Sequence, residues 1–184
     1  YEALLSSMDV DEEFIVKVCG IFVNLSSASE NKADMGAPAV GLLAKLVGLL
    51  ADASSPVDLK SKICGCLWNL SVFAGNRSTM AEPELGLVVT IVHILGVPEL
   101  EEMREVILKC CVIVQNLAGA KEAHPGLLSV EGGGLARSLL KQMLVGSADA
   151  RMKAFGAIVN LSLTQASQTV LGASEGCFRA MKLM

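Results

Sequence analysis

Six cysteines and two histidines are the side chains in this sequence best suited to bind metal or act as nucleophiles. Their spacing argues against both roles. Cys64 and Cys66 form a C-x-C, Cys110 and Cys111 are adjacent, and Cys19 and Cys177 stand alone. No C-x-x-C pair and no Cys/His cluster with zinc spacing is present, so metal is not expected. Reduced, buried thiols in a reducing compartment are the simpler expectation, because Cys then behaves as a small hydrophobe. His93 falls in an apolar run and His124 precedes Pro125; neither has a triad-like partner that the sequence identifies. Gly132, Gly133 and Gly134 lack the Lys-Ser/Thr that would hold phosphate and metal, and read as a turn. No enzyme activity and no cofactor are expected.

A different chemistry recurs along the chain. Four segments align: KVCGIFVNLS (17–26), KICGCLWNLS (62–71), KCCVIVQNLA (109–118) and KAFGAIVNLS (153–162). Their asparagines, Asn24, Asn69, Asn116 and Asn160, are spaced by 45, 47 and 44 residues. Seven residues before each Asn stands a lysine: Lys17, Lys62, Lys109 and Lys153. Eleven before stands an acid: Glu13, Asp58, Glu105 and Asp149. Four before stands Gly20, Gly65, Val112 or Gly156. At 100° per residue these positions share one helix face within about 40°. An amide offers one acceptor and two donors, enough to meet a peptide C=O and N–H together. A lysine row would favour acidic side chains on such a ligand. The plainer alternatives are inter-repeat hydrogen bonds for the asparagines and solvated Glu/Asp–Lys pairs for the lysines. The solvated-pair reading does not account for a poor helix former and a nearby Gly at fixed places, and both groove lining and inter-repeat hydrogen bonding stay open for the asparagines. Cys19, Cys64 and Cys111 all sit five before the Asn, a small-residue core position where the fourth repeat has Phe155.

These rows need helices to position them. A period in the mid-forties fits helical solenoids or propeller blades, and the apolar spacing here is helical rather than alternating. Each repeat divides alike. Long Asn-bearing helices are expected over 10–26, 57–73, 100–118 and 149–163. Short polar helices or turns follow over 29–35, 76–82, 121–130 and 165–173. Second apolar helices then run over 40–50, 85–95 and 134–144. A fourth starts at Glu175, and residues 1–8 read as the tail of a preceding one. Pro and Gly punctuate the joints.

A small-residue helix ending in N-L-S, a short polar helix, then a Leu-rich helix: this pattern resembles the armadillo-repeat family over essentially the whole chain. The resemblance implies an all-α, right-handed armadillo-type α-solenoid of three-helix repeats. It also implies one domain over 1–184, with about three complete repeats and partial repeats at both ends. In that family the long helices line a concave groove and the Asn clasps the main chain of an extended peptide. The resemblance implies that role for Asn24, Asn69, Asn116 and Asn160. Nuclear-import adaptors of the family carry Trp four before the Asn; here Gly or Val stands there. Trp68 directly precedes Asn69, about 100° off, and is expected to pack or to edge the groove.

Composition sets the remaining bounds. The 184 residues are 52% hydrophobic, 18% charged and 4% aromatic, with net charge −4. Neither a basic footprint nor a stacking platform for nucleic acid is visible. Mean hydropathy is high at +0.53. The longest charge-free stretches, 63–76 and 85–98, still fall short of the ~20 apolar residues of a membrane span. No secretory leader is seen and the chain begins at Tyr1, so it reads as a cytoplasmic piece of a longer protein. The expected function is a non-enzymatic scaffold that binds an extended, acidic protein segment. The alternative is a structural solenoid in a multi-protein cytoskeletal or ciliary assembly, and a weaker one is regulation of a small GTPase.

Overall fold

The computed structural model describes residues 12–97, 101–130 and 133–173. Among them every regular element is helical. In chain order these are α1 (Glu12–Ser27), α2 (Lys32–Gly36), α3 (Leu42–Ala51), α4 (Val57–Val72), α5 (Ala74–Ala81) and α6 (Leu87–Gly96). Then come α7 (Arg104–Ala118), α8 (His124–Leu128), α9 (Gly134–Val145), α10 (Ala148–Leu161) and α11 (Gln165–Ala173). Short 3-10 turns sit between several of them. The expected fourth apolar helix from Glu175 and the expected tail at 1–8 lie outside the described residues.

The long helices stack in series, α1 on α4, α4 on α7 and α7 on α10. The apolar helices form a second row, α3 on α6 and α6 on α9. The short helices form a third, α2 on α5, α5 on α8 and α8 on α11. The core therefore runs as a continuous strip rather than a ball. Leu46, Ile63, Leu67, Ile91, Ile113 and Leu139 are all fully buried along it. Each such side chain contributes about 1.5–3 kcal/mol relative to exposure.

Local chemistry explains the boundaries. Acids occupy the first turn of α1, α4, α7 and α10, where the helix dipole favours them. Ser147 caps α10 by accepting the Ala150 amide. The apolar helices start at 42 and 87, two residues later than the periodicity predicts. Pro38 and Pro83 each open a 3-10 turn closed by the amide of Gly41 or Gly86. Those glycines hold φ of 71° and 75°, a left-handed joint that redirects the chain. Two of the short segments, expected as single units over 29–35 and 121–130, are each a 3-10 turn followed by one α-turn. The expected helix 100–118 likewise begins with a 3-10 turn at Glu101–Met103.

Candidate functional site

Stacking of the four long helices brings the asparagines of neighbouring repeats into one row. Each inner amide reaches back to the helix before it. Asn69 Nδ2 donates to the Val23 carbonyl and to Ser26 Oγ, each at 3.1 Å. Asn116 Nδ2 donates to Ser71 Oγ at 2.9 Å. Asn160 Nδ2 donates to the Gln115 carbonyl at 3.1 Å. The Ser of N-L-S thereby gains a role: it receives the amide of the next repeat. Where Ala118 replaces it, Asn160 turns to the main chain instead. Inter-repeat hydrogen bonding, one of the two roles open to the asparagines, is thus present in the fold.

These bonds change what the row can offer a ligand. Both Nδ2 protons of Asn69 are engaged, so it can only accept, through Oδ1. Asn116 and Asn160 each keep one free N–H. Their Oδ1 atoms make no hydrogen bond among the described residues. Asn24 is exposed, and its side chain makes no hydrogen bond there at all.

The lysines do not form a uniform positive strip. Lys17 pairs with Glu13 at 2.7 Å in the open, and Lys62 reaches Asp58 only at 4.0 Å. Lys109 is drawn inward: it pairs with Glu105 at 2.7 Å and donates to the Ser61 carbonyl at 3.0 Å and to Ser61 Oγ at 2.8 Å. Its hydrogen bond and charge hold the Glu105 carboxyl below the usual carboxylate range. Lys153 makes no ion pair with Asp149 among the described residues.

Two of the small residues four before the Asn, Gly65 and Gly156, face the preceding helix. A Cβ on Gly65 would touch Val23 Cγ2 at 3.5 Å, and one on Gly156 would collide with the Gln115 side chain. Both neighbours stand one residue before an Asn. Space expected to admit a ligand backbone is therefore partly taken by the adjacent repeat. At the same one-before position Trp68 is partly exposed at the edge of the row, with Val72 and Phe73 exposed one turn on.

A second ladder runs beside the asparagines and was not apparent from the Asn motif. Eight residues after each Asn stand Lys32, Arg77, His124 and Gln168, and each donates to the carbonyl two residues after that Asn. Lys32 Nζ bonds the Ser26 carbonyl and reaches Ser27 O at 2.9 Å. Arg77 Nε bonds Ser71 O at 3.0 Å and its Nη2 bonds Val72 O at 2.9 Å. His124 Nε2 bonds Ala118 O, and Gln168 Nε2 bonds Ser162 O, each at 2.9 Å. Every long helix thus has its last carbonyls capped from the short helix that follows, three times by a basic side chain. The fixed offset was a readable signal, hidden because four different residue types fill it.

His124 is accordingly a buried strut, with Nδ1 facing Thr164 Oγ1 at 3.0 Å and Ser167 Oγ at 3.1 Å. His93 is exposed. Cys19, Cys64, Cys66, Cys110 and Cys111 are buried and not disulfide-bonded, and Cys177 lies outside the described residues. Burial pushes the Cys19 thiol up to about 11 and the Cys66 thiol up to about 12. Cys110, 3.9 Å from Cys64, is raised by that contact and by burial. Phe155 departs from expectation. It occupies the cysteine position of the other repeats, yet it is exposed.

Solved structures share this fold. A designed armadillo repeat protein matches over 98% of this chain and 71% of its own, with TM-score 0.78 and 21% identity. The fold is an armadillo-type α-solenoid. A second designed armadillo repeat protein, solved in complex with peptide (KR)4, matches over 98% of this chain and 72% of its own, with TM-score 0.80 and 22% identity. Computationally designed armadillo repeat proteins for modular peptide recognition match over 97% and 76%, with TM-score 0.76 and 19% identity. No family model and no curated protein matches the sequence. No described helix is long and apolar enough to cross a membrane.

Proposed function

We propose that this armadillo solenoid is a non-enzymatic scaffold that holds an extended segment of a partner protein along its asparagine row. The observation that carries the reading is the row of amide oxygens left without a partner on Asn69, Asn116 and Asn160. In each, Nδ2 fixes the amide to the helix before, which pre-orients Oδ1 as an acceptor for a peptide N–H. Neighbouring helices lie about 8–10 Å apart and an extended chain rises about 3.3 Å per residue. One amide then serves every two to three ligand residues. Lys17, Lys62 and Lys153 flank the row and suit acidic side chains; Lys109, engaged with Ser61, contributes less. Trp68 and Val72 offer an apolar ledge beside Asn69 and Asn116.

Calorimetric titration with acidic, basic and uncharged eight-residue peptides tests this. The acidic peptide should bind best, and more weakly as salt rises. Each Asn→Ala removes a hydrogen bond of roughly 0.5–1.5 kcal/mol, so Asn69→Ala with Asn116→Ala should cost about 10- to 100-fold. That double variant also loses inter-repeat bonds, so Val72→Glu is the companion. Val72 is exposed and makes no staple, and Glu there should block the row while circular dichroism stays unchanged. Binding that ignores Val72→Glu, or the absence of binding by any peptide of the panel, defeats the reading.

A second reading has one observation behind it. Exposed apolar side chains on α1 and α10 suit a solenoid built into a larger assembly, cytoskeletal or ciliary, in which those faces are covered. Strings such as CGCLWNLS are similar to the armadillo domain of the adenomatous polyposis coli protein and agree with either reading.

A further inference from the structure

The third residue after each Asn of the row stands at or just past the end of a long helix: Ser27, Val72, Gly119 and Leu163. Only after α7 is a side chain missing there. Gly119 has φ of −70° and ψ of −10°, a conformation open to any residue, so the backbone does not demand glycine. It is also exposed.

Two donors converge on the point where its Cβ would stand. Arg77 Nη1, from α5, lies 3.5 Å from that point, and Asn160 Nδ2, from α10, lies 3.8 Å from it. Both side chains are held by their other atoms. Arg77 spends Nε on Ser71 O and Nη2 on Val72 O, and Asn160 spends one Nδ2 proton on Gln115 O. Nη1 and the second Nδ2 proton make no hydrogen bond among the described residues, and Arg77 makes no ion pair there. Its two carbonyl partners are neutral, so the guanidinium keeps its full charge. The Asn116 carbonyl, 3.2 Å from the same point, already accepts the Gly119 amide at 3.1 Å.

We propose that Arg77 and Asn160 form a seat for one side-chain carboxylate of the extended partner segment, with Gly119 as its floor. The inference rests on the proposed binding along the asparagine row and adds a fixed register to it. One carboxylate oxygen accepts from Arg77 Nη1 and the other from Asn160 Nδ2, in the space left by the absent side chain. A carboxylate suits the seat better than an amide because both protein groups donate and one is charged. With Arg77 anchored twice and Asn160 once, little side-chain freedom remains to be lost on binding. The lysines of the long helices do not supply this seat: they stand seven residues before the Asn, about two turns away.

Calorimetry with non-repeating, acidic eight-residue peptides tests it, their C-termini amidated so that only side chains carry carboxylates. Glu is replaced by Gln one position at a time. One replacement should weaken binding about 10- to 100-fold, and the others much less. Arg77→Gln removes Nη1 and its charge but keeps the helix cap, since Gln168 makes the same bond at the equivalent place. In that variant the sensitive position should become as tolerant as the rest. Gly119→Val puts a side chain into the seat and should have the same effect. Circular dichroism checks both folds, and if Gly119→Val does not fold, Arg77→Gln decides. A positional preference that survives in a folded variant overturns the proposal. So does wild-type binding in which every Glu→Gln replacement counts alike; in both cases binding along the row still stands. A panel in which no peptide binds defeats binding along the row and the seat with it.

Discussion

At the scale of single residues, the positions with fixed chemistry hold neighbouring repeats together as well as facing outward. An inner asparagine spends one donor proton (Asn116) or both (Asn69) on the preceding helix and keeps its acceptor, so one side chain both staples and presents. The thiols illustrate the opposite case, pure packing. Burial opposes the thiolate, and with Cys19 near 11 and Cys66 near 12 almost no nucleophile exists at neutral pH. In a Cys177→Ser variant, native protein at pH 8 should therefore incorporate no iodoacetamide by intact mass, and five equivalents after unfolding in guanidinium. Rapid labelling of the native state would show that the stack opens locally.

At the scale of elements, glycines separate two kinds of demand. Gly126 in α8 lies so near the Ala81 carbonyl of α5 that a Cβ would collide with main chain, which cannot rotate away. Gly48 sits exposed in the middle of α3 with nothing within 4 Å of its Cβ position. Gly48→Ala should stabilise by roughly 0.5–1 kcal/mol through helix propensity alone. Gly126→Ala should destabilise by about 1–3 kcal/mol, since short helices must separate to admit it. Urea denaturation of both variants checks the sign of each. Equal effects would mean that the α5–α8 approach is looser than the structure has it.

At the scale of the whole molecule, stability is distributed as in a row of coupled units rather than around one centre. The helices α4 and α7 are covered by long helices on both sides, whereas the outward half-faces of α1 and α10 are exposed. Amide hydrogen exchange should accordingly be slowest in α4 and α7 and faster in α1 and α10. Uniform protection along the row would indicate a single cooperative block.

The division between what sequence determined and what tertiary structure decided follows from range. The repeat, the three-helix unit and the Asn-bearing helices were legible in the sequence because they depend on local periodicity and on Pro and Gly breaks. Helix starts at 42 and 87 were displaced because the Pro-x-x-Gly turn needs a left-handed glycine, which apolar spacing does not register. Burial of the cysteines was legible from small-residue recurrence, whereas exposure of Phe155 depends on what stacks beyond it. That the asparagines staple neighbours, that Lys109 turns in to Ser61, and that Lys32, Arg77, His124 and Gln168 do one job all rest on contacts between residues brought together by the fold. A row of identical side chains in sequence states that a position is constrained. Only the packing of one helix on the next decides which of their atoms remain for a partner, because a hydrogen bond already made inside is no longer on offer outside.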